Sequence, residues 1–248
     1  LNLKSMILRG LSSLTQFPWV NLIPEVSIVF PAYNEAENIA LVVDDFATML
    51  SAISAELIVV NDGSSDDTQR VLDSLPLPNL RVIEHATNLG YGAALRSGFE
   101  AALGQWTFFT DSDRQFRSQD FLRLWEKRTE ADVILGVRSH RQDPSHRRLN
   151  AWLWGQYIKR VFSVDVTDVN CAFKLLPTSE LQSFHLESVG AFINAEMLSN
   201  FYDAQCTWIE VSVQHHPRES GVQTGARPKV IAKAFQESLR FLLRKRRV

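Results

Sequence analysis

Short apolar runs alternate along the chain with longer segments in which apolar residues recur at helical spacing. The runs are rich in β-branched and aromatic residues, and their length is typical of buried strands. They are VSIVFPAY, ELIVVND, LRVIEH, QWTFFTD and ADVILGVR. Each of these runs therefore predicts one strand, in this order along the chain.

The segments between the strands have the apolar spacing of amphipathic helices. The first, NEAENIALVVDDFATML, predicts a helix with Asn34 as its N-cap, and the next is predicted to be capped near Ser65. Two further helices are predicted in GYGAALRSGFEAAL and SQDFLRLWEKRT. Alternating strands and helices indicate an α/β fold, with a mostly parallel, Rossmann-like central sheet and helices on both faces. We predict one domain over residues 25–248, ending in a basic helix.

Polar and acidic residues gather where the predicted strands end. Ligands of such sheets bind beyond the carboxyl ends of the strands, so these residues are candidates for one site. They are Tyr33, Asn34, Glu35, Asn61, Asp62, Asp111, Asp113 and Arg138.

Composition and charge exclude several classes of protein. Of 248 residues, 45% are hydrophobic and 22% are charged, as in soluble globular proteins. The formal net charge of −2 argues against a nucleic-acid partner. Cys171 and Cys206 lie far apart, which favours a reducing compartment, here the cytoplasm. No apolar stretch approaches the ~20 residues of a membrane-spanning helix.

Both ends of the chain have features of a membrane surface. Residues 1–24 are apolar but interrupted by Lys4 and Arg9, unlike a signal peptide, so the segment is either an interfacial helix or packed on the domain. The predicted C-terminal helix ends in a basic cluster suited to anionic lipid. The cluster consists of Arg240, Arg244, Lys245, Arg246 and Arg247. We expect peripheral association with the cytoplasmic face of a membrane.

The stretch FFTDSDRQF carries the candidate chemistry. Asp111, Asp113 and Gln115 offer carboxylate and amide oxygens, which are hard ligands suited to Mg²⁺ or Mn²⁺. A dinucleotide site is not supported, because the glycines follow the third strand and Leu95 stands where the last one belongs. A Walker A motif is absent, and glycosidase carboxylates usually come from different elements. Mg²⁺ commonly completes its coordination with phosphates, which a nucleotide sugar supplies.

Four stretches together resemble a known family. FPAYNEAENI, VVNDGSSDDT, NLGYGAALRSGF and FFTDSDRQF, in this order, are similar to family 2 glycosyltransferases of the GT-A fold. Within that family the chain resembles the dolichol- or polyprenyl-phosphate sugar synthases, of the dolichol-phosphate mannose synthase type. The resemblance extends roughly from Val26 to Lys245.

The resemblance implies a role for each matching residue. The pocket for the donor's base and ribose would be lined by Pro31, Tyr33, Asn34 and Glu35, with Asp62 contacting the base or ribose. The resemblance implies that Asp111 and Asp113 hold the diphosphate through the metal ion. Asp113 and Gln115 would be the direct metal ligands. The acceptor phosphate would meet Arg138 and Arg147 or Arg148. Arg218 matches a later Arg-x-x-Gly-x-Ser loop of the family, in which Gln223 replaces the serine.

The implied activity is a metal-dependent, inverting transfer of one sugar from a GDP- or UDP-sugar to polyprenyl phosphate. The acceptor is expected to enter along the basic segment from Arg138 to Arg160. Asn61 replaces a frequent aspartate, so the base stays open, and the Gln-x-x-Arg-Trp signature of processive synthases is absent. Alternatives are a sugar-hydroxyl or other soluble acceptor, a nucleotidyltransferase and a catalytically silent binding module.

Overall fold

Seven strands form one sheet in the computed structural model of the chain. The structure describes residues 23–139, 145–218 and 228–245, without the side chains of 145–148. The strands are β1 (Val26–Ala32), β2 (Ala55–Asn61), β3 (Leu80–Glu84), β4 (Trp106–Thr110), β5 (Val133–Ser139), β6 (Phe173–Pro177) and β7 (Trp208–Gln214). The predicted N-terminal segment lies almost entirely outside the described residues.

Helices and turns connect these strands. The helices are α1 (Ile39–Met49), α2 (Thr68–Asp73), α3 (Tyr91–Ala101), α4 (Gln119–Glu126), α5 (Ser145–Phe162), α6 (Thr178–Ser183), α7 (Ile193–Asp203) and α8 (Pro228–Lys245). A short 3₁₀ helix, Leu50–Ala52, follows α1.

The sheet is mostly parallel, which confirms the predicted fold class. Its strand order is β3-β2-β1-β4-β6-β5-β7, and β6 alone among the described strands runs antiparallel to its neighbours β4 and β5. Ala32 pairs with Asn61 at the ends of β1 and β2. The carboxyl ends of the parallel strands therefore finish at one edge, where ligands bind in such sheets.

Aromatic rings in the core pack against β4 just before this edge. The Phe108 ring lies 4.9 Å from that of Phe121 and 4.6 Å from that of Phe173, both edge-to-face. All three side chains are fully buried. Since close-packed rings resist displacement, they give β4 a rigid base just before its acidic turn.

The predicted start of the first helix was wrong. Helix α1 begins at Ile39, after Asn38, and Asn34 does not cap it. Instead Asn34 has a left-handed φ of 57°, and its Oδ1 accepts a hydrogen bond of 2.8 Å from the Ser65 backbone N–H. The turn after β1 is therefore tied to the turn after β2, because Asn tolerates this backbone region and bonds locally.

Strands β6 and β7 were not predicted from the sequence. In β6 the apolar pattern is broken by Lys174, whose side chain is nevertheless completely buried. Its ammonium donates to the carbonyl oxygens of Val169 and Cys171 and to Asn194 Oδ1, at 3.0 Å from the last. Burial lowers the pKa of Lys174 to about 8. These acceptors make burial of a polar group tolerable, which apolar periodicity alone cannot indicate.

The basic end of α8 is docked onto the protein. Arg244 Nη2 lies 2.6 Å from Oε1 of the buried Glu196, and its other nitrogen contacts Glu187. Lys245 donates to Ser199 Oγ at 2.8 Å. Carboxylates and a hydroxyl of the protein therefore already hold these two cations, and their attraction to lipid stays a prediction. Arg246 and Arg247 lie outside the described residues.

Candidate active site

A tight turn after β4 presents the two aspartates. Ser112 Oγ donates to the Pro31 carbonyl at 2.8 Å, and Arg114 has a φ of 62°. The Gln115 backbone N–H donates to Asp113 Oδ1 at 3.2 Å. Because β4 ends at Thr110, the carboxylates lie on this turn and not on a strand.

Burial and mutual repulsion disfavour charge on both aspartates. Burial first, and then the negative charge of Asp113, raises the pKa of Asp111 to about 7. Burial also raises the pKa of Asp113, whereas the cations of Arg218 and Arg138 act to lower it. Two carboxylates in a dry pocket are therefore held close enough to interact, and a bound cation would relieve the repulsion between them.

The turn has the chemistry of a divalent-metal site. Asp111 Oδ1 is buried and has no hydrogen-bond partner among the described residues. Gln115 Nε2 donates to the His216 carbonyl at 3.0 Å, which leaves the oxygen Oε1 as the atom suited to a cation. Although no group of three or more His, Cys, Asp or Glu side chains forms a metal site within the described chain, Mg²⁺ and Mn²⁺ need few protein ligands when phosphates complete their coordination. The residues therefore fit such an ion.

Glu35 lies beside this turn, in the predicted donor pocket. Its carboxylate accepts from Asn38 Nδ2 at 2.7 Å and from Arg218 Nη2 at 2.5 Å. Burial raises the pKa of Glu35, while the Asn38 amide and Arg218 oppose the shift. Tyr33 is exposed at the mouth of the same edge, with 47% of its surface accessible. Largely buried polar groups next to an exposed ring suit a nucleoside.

Asp62 is placed at the same edge but is engaged within the protein. Its two oxygens accept the backbone N–H groups of Leu89 and Gly90 at 2.9 and 2.8 Å. His85 Nδ1 lies 2.7 Å from Asp62 Oδ1, and its Nε2 lies 2.9 Å from Ser97 Oγ. Asp62 thus anchors the turn that opens α3, and contact with the donor stays a prediction.

Gly90 explains why this turn needs an anchor. Its φ of 107° lies in a region that favours glycine, and a Cβ there would collide with the Val189 carbonyl oxygen. The chain after β3 is consequently held between Asp62 and Val189.

The arginines predicted to bind the acceptor phosphate lie on two different elements, β5 and α5. Arg138, near the end of β5, donates from Nε and Nη2 to the Asp168 carboxylate at 2.7 and 2.8 Å. This bidentate pair is rigid and largely buried. Arg147 and Arg148 lie in the first turn of α5, and their side chains fall outside the described part.

Three polar residues near the acidic turn were missed as site residues by the sequence analysis. The Tyr91 hydroxyl lies against Asp111 and Asn194, and burial followed by the charge of Asp111 raises its pKa well above the ordinary value. Lys174 reaches the same Asn194. Tyr91 and Lys174 lie in stretches that resemble the family, but their place beside the acidic turn could not be predicted, because α3, β6 and α7 meet only in the fold.

The structure brings together the carboxylates of Glu35, Asp111 and Asp113 with the cations of Arg138 and Arg218. Such a set can hold a divalent ion and an anionic ligand side by side. A cavity of about 640 Å³ lies between α5 and the segment that contains Asp168.

Comparison with known proteins identifies the family of the chain. The family model described as glycosyl transferase family 2 matches residues 27–179, more than half of the chain. The chain is 29% identical to an undecaprenyl-phosphate 4-deoxy-4-formamido-L-arabinose transferase of Yersinia enterocolitica, over 80% of this chain and 62% of that protein. It is also 29% identical to a dodecaprenyl-phosphate galacturonate synthase of Rhizobium johnstonii, over 80% of this chain and 61% of that protein. The chain thus spans about three fifths of these relatives.

Solved structures share the fold. Glucosyl-3-phosphoglycerate synthase of Mycobacterium tuberculosis, in complex with Mn²⁺, uridine diphosphate and glucosyl-3-phosphoglycerate, superposes with a TM-score of 0.67 at 19% identity. The match covers 86% of this chain and 77% of that one. The same enzyme with Mn²⁺ and uridine-diphosphate-glucose gives a TM-score of 0.68 at 18% identity, covering 87% and 77%. The likeness shows a GT-A-type fold.

Proposed function

The chain belongs to glycosyl transferase family 2, and on this premise we propose that it transfers one sugar from a nucleotide-sugar donor to a polyprenyl phosphate. The observation that carries the proposal is the meeting of the acidic turn with Arg138 at one sheet edge, since Arg138 acts on both Asp111 and Asp113. Relatives named as undecaprenyl- and dodecaprenyl-phosphate enzymes support the choice of acceptor.

Donor binding is assigned to the pocket formed after β1 and to the acidic turn. Asp113 and Gln115 would hold Mg²⁺ or Mn²⁺, with Asp111 beside them. The ion would neutralise charge on the departing nucleoside diphosphate. Pro31, Tyr33, Asn34 and Glu35 are proposed to hold the base and ribose, with Asp62 supporting the pocket.

Acceptor binding is assigned to Arg138 and the cavity beside its partner Asp168. A guanidinium held in a fixed orientation suits a phosphate. The phosphate oxygen of the acceptor is already anionic near neutral pH, so its attack needs no strong general base. Direct displacement by that oxygen inverts the anomeric centre. Arg147 and Arg148 are proposed to assist at the cavity, along the segment that reaches Arg160.

The proposed function is tested by incubating the protein with GDP- and UDP-sugars, Mg²⁺ or Mn²⁺, and polyprenyl phosphate. The expected product is a glycosyl phosphate lipid, formed in preference to products on soluble sugar hydroxyls. Transfer to a soluble acceptor with none to the lipid would replace the proposal by the soluble-acceptor alternative. Formation of a nucleotide sugar and pyrophosphate in a separate incubation with a nucleoside triphosphate and a sugar 1-phosphate would indicate a nucleotidyltransferase.

Arg138→Lys is expected to reduce transfer to polyprenyl phosphate by roughly 10²-fold, because the charge stays while the guanidinium that Asp168 holds in a fixed orientation is lost. Hydrolysis of the donor by water should fall much less, since water needs no phosphate clamp. Both rates are measured in one preparation, so misfolding would lower them together. Arg128→Lys is a matched control, because Arg128 follows α4 at the opposite edge of the sheet. Equal loss of both reactions, in a variant that keeps the melting temperature of wild type, would contradict the role of Arg138.

We also propose that the protein works on the surface of a membrane. No described helix is long and apolar enough to cross one. However, α5 and α8 pack together, with Phe235 5.2 Å from the Trp154 ring, and both expose large apolar side chains. These are Leu149, Trp152, Leu153, Ile231, Phe235, Leu239 and Leu243. Exposed basic residues on α8, among them Lys233 and Arg240, suit an anionic leaflet. The free cysteines Cys171 and Cys206 fit its cytoplasmic side.

Replacing both Leu239 and Leu243 with Glu is expected to abolish co-sedimentation with anionic vesicles. More than half of each side chain is exposed, at 57% and 59%, so folding should be unaffected. Leu103→Glu is the control, because Leu103 is 62% exposed before β4 at the other sheet edge. Vesicle binding unchanged in the double variant would exclude this face of α8 as the membrane contact.

A further inference from the structure

Arg218 joins two carboxylates of the proposed donor site. Its Nη2 lies 2.5 Å from Glu35 Oε1, and its Nη1 lies 3.5 Å from Asp113 Oδ2. The three side chains are each between 10% and 14% exposed. A guanidinium cation therefore already lies near Oδ2 of Asp113, whose other oxygen accepts the Gln115 backbone N–H.

The two contacts differ in strength. The short contact with Glu35 is that of a charge-assisted hydrogen bond, whereas 3.5 Å to Asp113 is at the outer limit of one. Glu35 is thus the anchor of Arg218, and Asp113 is the partner that it can leave more easily. An entering cation would displace Arg218 first from Asp113.

We propose that Arg218 is a placeholder cation, which neutralises Asp113 and Glu35 until a divalent metal and a nucleoside diphosphate bind together. The inference rests on the proposed function and adds an order of binding to it. A metal alone would place a second cation beside the guanidinium, and the two would repel at close range. A diphosphate arriving with the metal adds an anion that both the ion and Arg218 can contact, which offsets the repulsion between the two cations.

The consequence is positive coupling between metal and nucleotide. Mn²⁺ alone should bind weakly, and uridine or guanosine diphosphate should strengthen its binding. By reciprocity Mn²⁺ should strengthen the binding of the nucleotide by the same factor. A purely structural ion pair between Arg218 and Glu35 would give no such dependence on Arg218.

The test measures Mn²⁺ binding by calorimetry or by paramagnetic resonance of free Mn²⁺, with and without the diphosphate. Arg218→Met, which keeps an unbranched apolar stem but removes the charge, is expected to bind Mn²⁺ alone more tightly than wild type, by a factor of about 5 to 150, as for ordinary couplings. The gain in Mn²⁺ affinity on adding the diphosphate should shrink in this variant. Unchanged or weaker binding of Mn²⁺ alone by Arg218→Met would overturn the inference.

Two further variants control for charge and folding. Arg218→Lys retains a cation, so its binding of Mn²⁺ alone should stay close to that of wild type. If it instead matches Arg218→Met, charge is not the cause and the inference fails. Arg81→Met removes a guanidinium from the buried Glu56, 2.9 Å away at the opposite sheet edge, and should leave Mn²⁺ binding unchanged. The proposed function can fail separately. If wild type with Mn²⁺ binds neither uridine diphosphate nor guanosine diphosphate, the proposed function is contradicted, whereas the comparison of Mn²⁺ binding by wild type and Arg218→Met needs no nucleotide.

Discussion

The Asp113→Ala protein is expected to lose glycosyl transfer by about 10²-fold or more, as is wild type treated with a chelator. Asp113 is a proposed metal ligand, and its loss leaves the departing diphosphate without the ion that would neutralise it. The measurement is kcat/KM for transfer. Adding Mg²⁺ or Mn²⁺ after chelation should restore wild type and not the variant.

The stability of Asp113→Ala separates this result from misfolding. Burial raises the pKa of Asp113, which means that the folded protein disfavours its charge. Removing the side chain should therefore leave the melting temperature unchanged or slightly higher, because strained functional groups often cost stability. Asp67→Ala, which removes a surface carboxylate paired with Arg70, is the control and should keep full activity. Activity of Asp113→Ala close to wild type, or chelator-insensitive wild type, would exclude the metal assignment.

Strand ends could be predicted from the sequence because buried parallel strands are short, apolar and β-branched. Asn61, Asp62 and Asp111 therefore lie at the sheet edge where the pattern predicts them. The same reasoning failed at Asn34, whose cap-like identity is used instead to bond the turn at Ser65. Local patterns cannot separate a helix cap from a contact between two turns that are distant in sequence.

Partners of the site residues could not be predicted for a related reason. Glu35 and Arg218 are 183 residues apart in the chain, yet they form the shortest ion pair of the site. Lys174 interrupts an apolar run, and only the carbonyls and Asn194 around it explain why it is buried in β6. Residue types and spacing indicate which groups reach the edge. Which of them pair depends on the register of the sheet.

Asp62→Ala is expected to destabilise the folded protein by about 3 kcal/mol, since unpaired buried donors cost roughly 1–3 kcal/mol each. From the sequence alone, a position at the end of a strand would suggest that Asp62 can be removed without loss of stability. The structure contradicts this, because Asp62 is 3% exposed and accepts the amides of Leu89 and Gly90 while contacting His85. The turn that opens α3 would lose its anchor.

Urea unfolding of Asp62→Ala measures this loss, and Asp73→Ala, on α2, supplies a control that should unfold like wild type. His85→Ala should show a smaller loss, because both amides of the turn keep their acceptor. Calorimetric titration of the folded Asp62→Ala protein with a nucleoside diphosphate then separates two roles. Weakened binding at wild-type stability would make Asp62 a donor contact, as the family resemblance implies. Loss of stability with binding retained in the folded fraction would make it the support of the turn from which Tyr91 reaches Asp111.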